Sequence, residues 1–247
     1  MTIPPKKPFY GSTLKWIAIG TMFIDHIGAC LLEVFVMNVY GNSPLAGQID
    51  NLMFWYEIDR GLRLVGRIAF PIFCFLLIEG ALHTRNFNQY MGRLAVFALI
   101  SEIPFDLAFH NQLFYWGSQN VYFTLLIGLG AIWILKNEKH KSLWGMIGLV
   151  FLVLGAQYCK TDYGAVGVLV IIFMYVFRDY PWLRCLASVG TLVGLSTLEI
   201  PAVLAFGGIA LYNGERGRQP RYFFYAFYPI HLLLLWIIGQ FVLIRVL

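Results

Sequence analysis

Charge is what this sequence has least of. Asp, Glu, Lys and Arg make up 13% of its 247 residues, against about 25% in typical soluble domains. Cysteine is also sparse: Cys30, Cys74, Cys159 and Cys185 are scattered, form no CxxC and have no histidine at metal-ligand spacing. Neither a disulfide framework nor a metal site is therefore expected. Low-complexity tracts, long charge blocks and internal repeats are absent as well. No connection between apolar runs is long enough to fold as a separate soluble domain.

What fills the chain instead is hydrocarbon. Hydrophobic residues make up 59%, and the mean hydropathy is +0.69. Apolar runs near the ~20 residues needed to span a bilayer recur along almost the whole length. They predict an all-α polytopic integral membrane protein of about nine transmembrane helices, folded as one transmembrane domain over 1–247. The expected spans are 13–36, 61–82, 91–109, 118–135, 142–158, 162–178, 183–198, 200–213 and 223–244, and the short eighth leaves a re-entrant piece open. Helices rather than barrel strands follow from the length of the runs. The first run contains Asp25 and His26 and lacks a small-residue cleavage site, so it reads as a retained span and not a signal peptide.

Lys and Arg set the orientation. With the N-terminus cytoplasmic, 13 of the 18 fall on the inner side, among them Lys15, Arg85, Arg93, Arg216, Arg218 and Arg221. The net charge of +5 is thus a topology signal, and no nucleic-acid partner is expected. The inner (cytoplasmic) membrane is the expected location.

The stretch FIDHIGACLL places Asp25 and His26 among apolar neighbours. Counting helical rise from the inner boundary puts His26 at ~20 Å, Arg67 at ~22 Å, Glu102 at ~16 Å and Asp106 at ~22 Å. A charged side chain in that layer costs ~2.5–3.5 kcal/mol or more if it faces lipid. Adjacent residues cannot point the same way on a helix, so Asp25 is expected to pair with Arg67 while His26 faces a cavity. An intramembrane Asp–Arg pair can simply lock helices, and a lone His can simply bond a carbonyl. Five such groups at one depth, three carboxylates against one arginine, point to a protonatable cavity. Glu79 and His83 form an i, i+4 pair where snorkelling makes them cheap. His231, inside the last span, reads equally as core or site. Asp162 reads as a helix N-cap, and the aromatics as interfacial belts and packing.

The blocks LKWIAIGTMFIDHIGA, GRIAFPIFCFLLIEGALHTRN, ALISEIPFDLAF, NVYFTLLIGL, DYGAVGVLVI, LYNGERG and YFFYAFYPIHLLLL resemble, in order, those of the TraX family. Lys15 and His26 with ten residues between them, Arg67 ahead of a Pro-aromatic run, and Tyr228 with His231 are also similar to membrane acyltransferases of the acyltransferase-3 type. The resemblance implies an acyltransferase, since the founding TraX member is associated with N-terminal acetylation of a pilin subunit. The segment 37–60 matches no block of the family.

On that resemblance, acetyl-CoA from the cytosol is the acyl donor. The acceptor is an amine or hydroxyl on a peptide, a sugar or a lipid head group. His26 would be the base or transient acyl carrier, Arg67 would stabilise the oxyanion or position Asp25, and Glu102 and Asp106 would tune the cavity or carry the proton away. Lys15, Arg85, Arg93, Arg216, Arg218, Arg221 and His231 are the candidate cofactor contacts, with the 214–221 loop as the expected phosphate site. The rival reading is a proton-coupled transporter that uses the same buried layer.

Overall fold

The structure is a computed structural model that describes residues 7–40, 52–137, 139–220 and 222–246. Among them the chain is helical, with two isolated β-bridges, Phe9 with Tyr212 and Gln119 with Thr161. The expected 37–60 connection is partly helix, because α2 starts at Leu52; residues 41–51, and Arg221 among the candidate contacts, lie outside the described residues.

The first span is α1 (Gly11–His26), which runs on in wider π-type turns over Ile27–Tyr40. The pitch therefore changes immediately after His26. A helix start leaves backbone donors unmet, and here they find the chain's far end. Gly11 N donates to Glu215 O at 2.9 Å and Ser12 N to Arg216 O at 2.9 Å.

The second span is one apolar rod, Met53–His83, built from α2 (Leu52–Gly66) and α3 (Ala69–His83). It breaks at Arg67–Ile68. Pro71 explains the break: it has no N–H for the carbonyl four residues earlier, that of Arg67, and its ring crowds that oxygen. The sequence thus delivers an arginine to the one point where its rod is interrupted.

The rest of the bundle is α4 (Phe87–His110), α5 (Val121–Lys136), α6 (Leu143–Tyr158), α7 (Gly164–Val176), α8 (Pro181–Leu195), α9 (Val203–Ala210) and α10 (Phe223–Val246). Side-chain caps open three of them: Asn86 accepts from Gln89 N, Asn120 from Tyr122 N and Ser142 from Gly145 N. Asn111, in the left-handed region at φ 52°, closes α4. Three segments among the described residues, Gly11–Val34, Met53–His83 and Phe223–Phe241, are long and apolar enough to cross a membrane, and five further apolar helices are shorter. These are the helices of a membrane protein.

The nine expected runs each coincide with a helix or a helix pair, but the eighth is a special case. It consists of a 3₁₀ turn, Thr197–Ala202, leading into α9. Eight residues of helix rise only about 12 Å, well short of the hydrocarbon thickness.

Central α7 buries Val168, Val170 and Ile171 completely, whereas peripheral α6 exposes Trp144 and Phe151. One end of the bundle gathers the N-terminal segment, the 211–216 backbone and the ends of α3 and α5, where Lys136 Nζ donates to Ala81 O at 2.7 Å. Lys15 and Arg216 belong to this basic end. The opposite end carries the Gln119–Thr161 bridge.

Gly66 tests this packing, because a Cβ there would collide with the Asp25 carboxylate. Gly66→Val should destabilise the purified protein by ~1–3 kcal/mol, the usual overpacking cost. Gly190→Ala, with nothing within 4 Å, should leave the melting temperature in detergent unchanged.

Candidate functional site

Asp25 and Arg67 do meet, but in a larger assembly than an ion pair. Asp25 takes Arg63 Nη1 on Oδ2 at 2.5 Å and Arg67 Nη2 on Oδ1 at 3.4 Å. Arg63 Nε reaches Glu33 at 3.2 Å. Arg67 Nη1 binds Glu199 at 2.8 Å and donates to the Tyr163 hydroxyl at 3.3 Å, while its Nε donates to Arg63 O at 3.2 Å. Every nitrogen of the Arg67 guanidinium therefore has a protein partner. Glu199 was not singled out by the sequence. Its signal was an acid two residues before a proline, in the gap just ahead of a run too short to cross.

His26 points away from this network and meets a second histidine. Its Nδ1 lies 2.6 Å from His231 Nε2, and the two ring planes differ by 2°. The centroid separation of 4.9 Å equals the N···N distance plus the two centroid-to-nitrogen radii, so the imidazoles are coplanar and end to end.

The tautomers follow. His231 Nδ1 is 2.8 Å from Phe227 O, and a carbonyl can only accept, so that nitrogen carries the proton. On an uncharged His231 ring Nε2 is then the acceptor, and His26 Nδ1 must donate to it. The lone pair of His26 is left on Nε2. Aromatic rings enclose the pair: Phe109 and Tyr228 stand edge-on to His26, and Phe23 and Phe227 lie against His231.

Glu102 and Asp106 do not join this group. Glu102 accepts from the Asn120 amide and side chain, and Asp106 accepts from Tyr115 N at 2.8 Å. The expected single layer of five groups is thus three separate arrangements: Asp25 with Arg67, His26 with His231, and Glu102 and Asp106 apart from both. The carboxylates of α4 bind the donors of the 111–120 connection, whose backbone would otherwise be unsatisfied. Depth along a helix is readable from sequence, but azimuth is not, and here azimuth separates them.

The candidate cofactor contacts divide in the same way. Lys15, Arg93 and Arg216 line one cavity of about 420 Å³ at the basic end, a size within the range of small-molecule sites. Arg85 and Arg218 are not among its lining residues. His231 belongs to the histidine pair, not the cavity. Lys15 Nζ donates to Gln219 Oε1 at 2.5 Å. Among the described residues none of the three cations makes an ion pair, which leaves positive charge available for an anion. The cavity floor is apolar, with Leu77, Leu94, Leu125 and Tyr122 buried.

One aromatic layer separates this floor from His26. Tyr122 is 5.0 Å from Tyr228, whose ring is 5.9 Å from that of His26. The Tyr122 hydroxyl donates to Tyr225 O at 3.1 Å. That carbonyl is available because Pro229, four residues on, has no N–H to give it.

Residues 10–239 match the family described as TraX protein. The chain is also 34% identical over 252 residues to a probable fimbrial assembly protein FimC, serogroup H1, of Dichelobacter nodosus, covering 92% of this chain and 94% of that protein. The chain belongs to the TraX family. An uncharacterized protein of Rickettsia prowazekii (strain Madrid E) is 21% identical over 182 residues, 71% of this chain and 59% of its own. No solved structure matches this TraX-family protein. The family match spans the cavity cations and the histidine pair, from Lys15 to His231.

Glu199→Ala should be strongly disruptive, because it removes the closer of the two carboxylates that neutralise a nearly buried guanidinium. Breaking a buried pair from one side costs ~3–5 kcal/mol. Thermal unfolding in detergent should show that loss, and Arg85→Ala, on an exposed residue, should not.

Proposed function

We propose that this TraX-family protein is an integral-membrane acyltransferase, with acetyl-CoA entering the basic cavity from the cytosol and His26 acting as the base. The reading rests on the His26–His231 pair, which leaves a lone pair on His26 Nε2 one aromatic layer beyond a cation-lined cavity. The relative's name, a probable fimbrial assembly protein, suggests an acceptor used in pilus or fimbria assembly.

The residues suit the donor. Lys15, Arg93 and Arg216, which have no carboxylate partner among the described residues, would hold phosphates, and the apolar floor would take the uncharged arm. Acetyl-CoA supplies an activated thioester carbonyl. His26 Nε2 removes the proton from the acceptor amine or hydroxyl as the acceptor attacks that carbonyl. As the carbon–sulfur bond breaks, the same nitrogen returns the proton to the leaving thiolate. His231 accepts the Nδ1 hydrogen bond throughout and orients the imidazole, the part played by the third member of a catalytic triad. Asp25, held by Arg63 and Arg67, fixes the adjoining turn of α1. The Arg63, Arg67, Asp25 and Glu199 charges largely cancel one another, which suits a structural lock better than the proton carrier a transporter would need.

The test is calorimetric titration of acetyl-CoA with parallel assay of free CoA. Wild type and His26→Ala should both bind, and only wild type should release CoA. Release by the variant would remove His26 from the chemistry. Arg93→Gln with Arg216→Gln should weaken binding by about tenfold to a hundredfold, the range for charge-assisted hydrogen bonds. Arg85→Gln with Arg218→Gln should change it little. The opposite pattern would move the phosphate site to the surface arginines.

A further inference from the structure

The cavity has a second polarity that phosphate binding does not use. Glu79 is the only carboxylate among its described lining residues. It shares the cavity with Lys15, Arg93 and Arg216 and, among the described residues, lies within 4.0 Å of none of them; its near neighbour is the mostly exposed His83, whose Nδ1 is 3.8 Å from Glu79 Oε2. Its Oε2 instead accepts from the Tyr212 hydroxyl at 3.1 Å. Tyr212 is itself held: its ring stands edge-on to Phe75 at 5.3 Å, and its backbone bridges to Phe9. The carboxylate is therefore anchored by Tyr212 and not by Lys15, Arg93 or Arg216.

A phosphate would be repelled from such a wall. A hydrogen-bond donor would be drawn to it, and aromatic faces are at hand, since Tyr90, Tyr212, Phe224 and Tyr225 also line the cavity. The complementary ligand has phosphates at one end and a flat, amino-bearing ring at the other. We infer that Glu79 is a specificity residue that accepts a hydrogen bond from the exocyclic amine of an aminopurine nucleotide, while Lys15, Arg93 and Arg216 hold its phosphates. This rests on the acyl-CoA reading above and names the part of that molecule Glu79 selects.

The experiment compares the affinities of acetyl-CoA and of its hypoxanthine analogue, in which a carbonyl oxygen replaces the exocyclic amine, by calorimetry on the full chain in detergent. Wild type should prefer the adenine form by about tenfold or more, since the analogue sets a carbonyl against a carboxylate. Glu79→Gln, which can donate to that carbonyl as well as accept, should bring the two ligands close to parity. Tyr212→Phe, which unties the carboxylate and keeps the ring, should also reduce the preference, and it serves should Glu79→Gln fail to fold. Equal binding of the two ligands by wild type would overturn the role of Glu79 and leave the donor site standing. No binding of either ligand by folded wild type would overturn the acyl-CoA reading itself.

Discussion

Arg67 is the point on which this fold depends. Pro71 interrupts the long second rod four residues beyond it, and the guanidinium at that interruption is met by α1, by the start of α7 and by the 3₁₀ turn before α9. A charge in hydrocarbon must be matched from several directions, because water is not there to complete its shell. Here the matching groups come from four parts of the chain. The 3₁₀ turn ahead of the eighth apolar run supplies one of these groups, Glu199.

Around that lock, backbone groups freed by proline become structural contacts. Pro229 leaves Tyr225 O without its helical donor, and the Tyr122 hydroxyl takes its place. This bond ties α5 to α10 in the aromatic layer between the basic cavity and the histidine pair. On α10, one further turn brings His231 back onto Phe227 O, which sets its tautomer and, through it, the protonation of His26. Local irregularities in two helices thus define both the cavity floor and the chemistry beyond it.

The proposed activity divides between these regions. Cations with no carboxylate partner among the described residues lie at one end, where an anionic donor could arrive from water. An imidazole with a defined lone pair lies deeper, enclosed by aromatic rings that exclude water. Acyl transfer benefits from such separation, since a thioester kept from water is transferred and not hydrolysed.

Much of this was legible in the residues alone. Apolar run length located nearly every helix, because satisfying the backbone in hydrocarbon leaves few alternatives to helix. The cost of a buried charge marked Asp25, His26 and Arg67 before any contact was known. Rise per residue gave Glu102 and Asp106 an expected depth, but the direction in which a side chain points around its axis depends on the neighbouring helix. Only the packed bundle turned those two carboxylates toward the 111–120 connection, brought Glu199 to Arg67, and joined His26 to a histidine 205 residues away. Tertiary structure alone decided which of the many arginines line a cavity, because a basic side chain near a helix end is expected whether or not a ligand binds there.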